Sequence, residues 1–157
     1  MKQVIMTFVA VATAVAALAY QPVSSDPNVV PNVWNYNYNE AMAKAAEMNL
    51  PVMLAFVNQG NCGYCATWDK QTQSSGDGAW GAFLAANPMI LIWVDQSKQS
   101  YYVNPTWGAL IAGRGWGRIT AYPEFVILRP SGGLVDEFVG RGSLAKNPTF
   151  YDRVRTA

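Results

Sequence analysis

Residues 52–57 (VMLAFV) form an unbroken apolar run between Pro51 and the turn formers Asn58, Gln59, Gly60 and Asn61. The run is too short for an ordinary helix and reads as a strand. Because apolar residues occupy both parities, both faces of that strand are buried, which places it centrally in a sheet covered on each side. Cys62 and Cys65 follow at once, and residues 62–73 read as the helix they open, with Ser74 to Gly78 breaking it.

The remaining segments fit the same plan. Residues 40–49 (EAMAKAAEMN) are rich in strong helix formers, pair Glu40 with Lys44 one turn later, and stop before Pro51. Residues 79–86 read as another helical piece, and residues 89–94 (MILIWV) as a second buried strand ending at Asp95, itself read as a turn or capping residue. Residues 124–128 and 134–139 read as two strands joined by Arg129-Pro130-Ser131-Gly132-Gly133, a connection of hairpin length, so the two should pair antiparallel. Residues 143–155 are expected to form a closing helix whose first part Pro148 limits. Helices and strands thus alternate, which predicts an α/β fold with a mixed sheet.

The first nineteen residues carry one charge, Lys2, then an apolar stretch from Val4 to about Ala17 and the small-x-small pattern Ala17-Leu18-Ala19. That pattern predicts a cleavable signal peptide over 1–19 and a periplasmic or secreted protein. The stretch is interrupted by Thr7 and Thr13 and is shorter than the roughly 20 apolar residues a spanning helix needs, so membrane contact is expected only if it stays uncleaved. Residues 20–33, with Pro22, Pro27 and Pro31, read as a linker, and residues 34–157 as one domain. Without Lys2 the chain has ten Lys and Arg against ten Asp and Glu and no long block of one sign, so nothing in it is suited to nucleic acid.

Cys62-Gly63-Tyr64-Cys65 sets two thiols where a strand hands over to a helix. Unpaired N–H groups at a helix start favour a thiolate at Cys62. The three-residue spacing lets Cys65 resolve a mixed disulfide formed at Cys62 within the same molecule. A structural zinc site needs four protein ligands, whereas the chain has two cysteines and no histidine, and a cysteine protease would want a histidine base. No metal is therefore expected. An inert disulfide is the remaining alternative in an exported chain, although so small a loop gains little entropy on closure.

From about Trp34 to Arg155 the sequence resembles the thioredoxin superfamily. Residues 40–65 look like the helix, first core strand and Cys-x-x-Cys of exported thioredoxin-like proteins, residues 90–95 (ILIWVD) like the next core strand, and Tyr122-Pro123 with EFVILRPSGGLVDEFVG like the hairpin that follows. The resemblance implies a thioredoxin-like three-layer sandwich, with a mixed four- to five-stranded sheet and helices on both faces. It further implies that Pro123 is a cis-proline facing the dithiol and that Tyr122 offers backbone hydrogen bonds to a bound peptide. The intervening pair Gly63-Tyr64 is similar to that of periplasmic disulfide isomerases and joins the expected substrate-binding residues. Two positions depart from the pattern: Asn61 stands where a tryptophan is common, and Phe56 where thioredoxin has a buried acid.

The resulting expectation is a thiol-disulfide oxidoreductase with Cys62 and Cys65 as catalytic pair and no cofactor beyond that redox-active disulfide. Its partners would be thiol- or disulfide-containing exported proteins and a redox partner protein. The alternative is a non-catalytic binding module of the same fold that keeps the Cys62–Cys65 bond permanently. Residues 96–121 carry Tyr101, Tyr102, Trp107 and Trp116 among several glycines, and either cap the sheet edge or shape a substrate groove. Residues 140–145 (GRGSLA) fit a dinucleotide-binding glycine pattern, but too little chain follows for the second strand and acidic partner that such a site requires.

Overall fold

A computed structural model describes residues 28–72, 78–95, 119 and 121–156. The expected signal segment 1–19, most of the expected linker and nearly all of the 96–121 connection lie outside the described residues. The elements are β1 (Trp34–Asn35), α1 (Tyr38–Met48), β2 (Val52–Val57), α2 (Gly63–Thr72), α3 (Gly78–Ala86), β3 (Ile90–Asp95), β4 (Glu124–Leu128), β5 (Leu134–Val139), a 3-10 turn (Leu144–Lys146) and α4 (Phe150–Arg155). Among the described residues no helix is long and apolar enough to cross a membrane.

The five strands run in the order β1-β3-β2-β4-β5. β3 lies parallel to both β1 and β2, whereas β4 is antiparallel to β2 and β5 to β4. β2 is therefore the central strand, and every one of its six residues is buried, as its two-sided apolar run predicts. Met53, Ala55 and Val57 face one core together with Trp68, Trp80, Phe125 and Phe150, while Val52, Leu54 and Phe56 face another with Ala41, Ala45, Ile92 and Val126. The β4–β5 connection is the expected tight hairpin: Gly132 takes φ +86°, a conformation that excludes most side chains, and Arg129 N–H donates to Gly133 O at 2.8 Å.

One expectation is corrected. The closing helix over 143–155 is split, because Pro148 has no N–H to donate and the chain turns at residues 147–149 before α4 begins at Phe150. The described end of the predicted linker is tied down. Asn32 and Met89 exchange hydrogen bonds at 2.8 and 3.0 Å, Asn32 Nδ2 donates to Leu84 O, and Asn35 holds both Val30 N–H and Val30 O. Buried side-chain amides thereby seat the short edge strand β1, which has too few residues to show any periodicity.

Candidate active site

Cys62 occupies the N-cap position of α2. The strand that precedes it ends in a turn closed by Asn61 N–H donating to Asn58 O at 3.2 Å, and Gln59 N–H in that turn donates to Asp95 Oδ1, also at 3.2 Å. Asp95 is buried at the end of β3, in register with Val57, so the capping role expected for it is realised on the turn that carries the cysteines. Ala66 N–H donates to Cys62 O at 3.2 Å and opens the helical bonding.

Cys62 and Cys65 are joined as a disulfide, with 5.2 Å between their Cα atoms. The two sulfurs are not equivalent. Cys65 is 0% exposed and sits in the aromatic core, whereas Cys62 is only partly buried. The backbone N–H of Cys65 points at Cys62 Sγ from 3.0 Å, and Cys62 Sγ lies 3.4 Å from Tyr122 O.

The Tyr122-Pro123 peptide is cis, as the resemblance implies, and Pro123 O accepts from Gly140 N–H at 2.8 Å. β4 starts and β5 ends at this edge of the sheet, so their antiparallel pairing brings Pro123 and Gly140 beside the start of α2. Gly63 is exposed with open space where a side chain would stand, and Tyr64 is 57% exposed, so both present themselves on the solvent side of the bond. All six predicted site residues thus belong to this end of the molecule: Cys62, Tyr122 and Pro123 in direct sequence of contact, Cys65 beneath them, Gly63 and Tyr64 above.

No protein-family model matches the chain, and no curated protein matches it in sequence. Solved structures do match it in shape. The DsbH oxidoreductase is similar with a TM-score of 0.55 at 19% identity, over 85% of this chain and 92% of that one. A thioredoxin from Thermus thermophilus is similar with a TM-score of 0.53 at 24% identity, over 76% of this chain and 85% of that one. The fold is thioredoxin-like.

Within this thioredoxin-like frame, two buried residues flanking the start of β4 and the end of β5 were not singled out from the sequence. Glu124, 2% exposed, directly follows Pro123 and stands in register with Phe56, the position where thioredoxin has its buried acid. It shares the parity of Val126 and Leu128, which face the α1 side, whereas Phe125 and Ile127 face the core that holds Cys65. Gly140 is the other. A Cβ there would come within 2.7 Å of Phe125 and 3.1 Å of Trp68, so only glycine lets β5 close over the core beside Pro123. The glycine-rich stretch 140–145 is therefore part of the site's frame. Among the described residues no cluster of three or more His, Cys, Asp or Glu is placed to hold a metal ion.

Proposed function

We propose that this protein is a thiol-disulfide oxidoreductase acting on exported proteins in the periplasm or outside the cell. The observation that carries this reading is the inequality of the two sulfurs: Cys62 is reachable at the start of α2, and Cys65 is buried directly behind it. Support for export comes from the predicted signal segment 1–19.

In the reducing direction, the Cys62 thiolate attacks a partner disulfide and one partner sulfur leaves as a thiolate. Cys65, deprotonated, then displaces the second partner sulfur from Cys62, and the Cys62–Cys65 bond forms as two electrons pass to the partner. The oxidising direction runs the same steps backward. The Cys65 N–H, 3.0 Å from Cys62 Sγ in the oxidised form, supplies a hydrogen bond to the thiolate of the reduced form, adding to the favourable field at a helix N-terminus. Tyr122, next to Cys62, holds an extended partner segment through its backbone, with Gly63 and Tyr64 flanking it. No cofactor is required beyond the dithiol, and a redox partner protein resets it; which way electrons flow follows from the potential of the pair against that partner.

Replacing Cys65 by Ser removes the resolving thiol. The Cys65→Ser protein, expressed with its signal and recovered under acid quench, is expected to carry mixed disulfides through Cys62, visible by mass spectrometry, while Cys62→Ser carries none. If Cys65→Ser traps nothing and the wild-type pair has a potential below about −300 mV, the bond is structural. The chain would then be a binding module.

A further inference from the structure

Resting on that reading, we propose that Arg141 selects partners by charge, favouring a thiol or disulfide flanked by an acidic side chain. Three described segments frame Cys62 at the surface: residues 60–64, 121–123 and 140–143. Among them Arg141 is the sole charged residue. The other described residues of those segments are neutral: Gly60, Asn61, Gly63, Tyr64, Ala121, Tyr122, Pro123 and glycine or serine, while Lys146, whose side chain lies against Gly142, is the next cation along the loop.

The placement of Arg141 follows from the backbone. Gly140, just past the end of β5, bonds through its N–H to Pro123 O at 2.8 Å, so Arg141 follows directly on the residue that joins Pro123, and the neighbouring Tyr122 carbonyl lies 3.4 Å from Cys62 Sγ. The Arg141 main chain is fixed on both sides by one side chain. Arg141 N–H donates to Asn147 Oδ1 at 3.2 Å, and Asn147 Nδ2 donates to Arg141 O and to Ser143 O, each at 2.7 Å. Leu144 N–H, just beyond, donates to Gln71 Oε1 of α2 at 2.9 Å, which ties the loop to the helix that carries the dithiol.

The side chain itself is exposed, and among the described residues its guanidinium has no ion pair, unlike those of Arg153 and Arg155. A cation displayed from a pinned backbone loses little freedom when it meets a carboxylate, and a guanidinium can take one by two hydrogen bonds. The loop thus displays a cation without an ion pair among the described residues, one residue beyond the Gly140–Pro123 bond that borders the dithiol.

The test uses pre-reduced protein in single turnovers with peptides that differ only in the residues flanking one cysteine, Glu, Gln or Lys, that cysteine being carried as a disulfide with 2-mercaptoethanol. The wild type is expected to reduce the Glu peptide about three- to tenfold faster than the Lys peptide at low ionic strength, in keeping with exposed ion pairs, and the ratio should shrink in 0.5 M salt. Arg141→Ala should bring the ratio close to one, and Arg141→Glu should reverse it. A ratio unchanged in Arg141→Ala, or no preference in the wild type, overturns the proposal while leaving exchange intact. A wild type that fails to reduce uncharged bis(2-hydroxyethyl) disulfide removes the oxidoreductase reading, and the charge selection with it.

Discussion

The two sides of the sheet are built from different materials. The side that seats the dithiol helix is aromatic: Trp68 packs on Phe125 and Phe150 with ring centroids 4.7 and 4.9 Å apart, and Trp80, Phe83 and Phe138 extend the cluster. The opposite side is mainly aliphatic, with Val52, Leu54, Ile92 and Val126 facing Ala41 and Ala45 of α1, and Tyr38 and Phe56 as its only buried rings among the described residues. The two helices differ in the same way. α1 is alanine-rich, capped by Asn37 accepting from Glu40 N–H and ended by Asn49 in the left-handed conformation, so its own sequence favours it. α2 (GYCATWDKQT) has glycine, two threonines and cysteine, no run of strong helix formers, and buries Cys65, Trp68 and Thr72. Its persistence rests on the aromatic bed beneath it, so the end of the molecule that carries the dithiol is the end held mainly by tertiary contacts.

The largest expected effect tests that dependence. Trp68→Ala should destabilise the fold by about 3–5 kcal/mol in urea unfolding, the range for deleting a buried aromatic ring. Trp68 Nε1 is buried with no hydrogen-bond partner among the described residues, so Trp68→Phe loses ring area but strands no acceptor, and should recover much of the loss. If Trp68→Ala cost less than 1 kcal/mol, α2 would stand on its own and the contrast with α1 would fail.

Next comes the closure of the aromatic side over the site. Gly140→Ala places a methyl group 2.7 Å from a ring carbon of Phe125 and 3.1 Å from Trp68, and overpacking of this kind costs about 1–3 kcal/mol. Because Gly140 N–H also bonds to Pro123 O, the same substitution should slow disulfide exchange. By contrast Gly63→Ala, which meets nothing within 4 Å, is expected to leave stability nearly unchanged.

Legibility in the sequence follows the same division. Strand β2, α1 and the β4–β5 hairpin could be read directly, because their evidence is local: two-sided apolarity, helix formers, and Pro and Gly at a turn. The dithiol was legible from its spacing and its strand-to-helix setting. The cis state of Pro123 was legible only through resemblance, since an X-Pro bond is cis about 5% of the time in folded proteins. The placements of Glu124 and Gly140 were not legible, because they follow from register. Glu124 matters by pairing with Phe56, and Gly140 by meeting Trp68 from seventy-odd positions away. β1 was invisible for a related reason: two residues carry no period, and buried bonds such as Trp34 Nε1 to Thr72 Oγ1 and Asn35 Nδ2 to Leu91 O hold them.

The smallest expected effect lies at the outer margin of the aromatic side, where α4 meets the edge strand β5. Arg153 bonds Asp136 through both carboxylate oxygens at 2.5 and 2.6 Å, also reaches Glu137 O, and lays its guanidinium 4.0 Å from the centre of the Phe138 ring. The hydrogen bond from Arg153, helped by the Glu137 N–H, holds the Asp136 carboxyl below its ordinary range against a smaller opposing effect of burial. A carboxyl whose folded pKa is depressed stabilises the fold above its unfolded value of about 3.9, and that contribution is lost as pH falls through the folded value. The pair is partly exposed, so solvent screening keeps its worth small, and Asp136→Asn should cost less than about 1 kcal/mol at pH 7. Urea midpoints of wild type and Asp136→Asn should differ at pH 7 and converge as the pH falls below the ordinary carboxylate range through the lowered value of the folded state. A difference that persists into acid would mean that shape and ring stacking, not charge, fasten α4 to the sheet, and the aromatic side would then be held at its edge by the same means as at its centre.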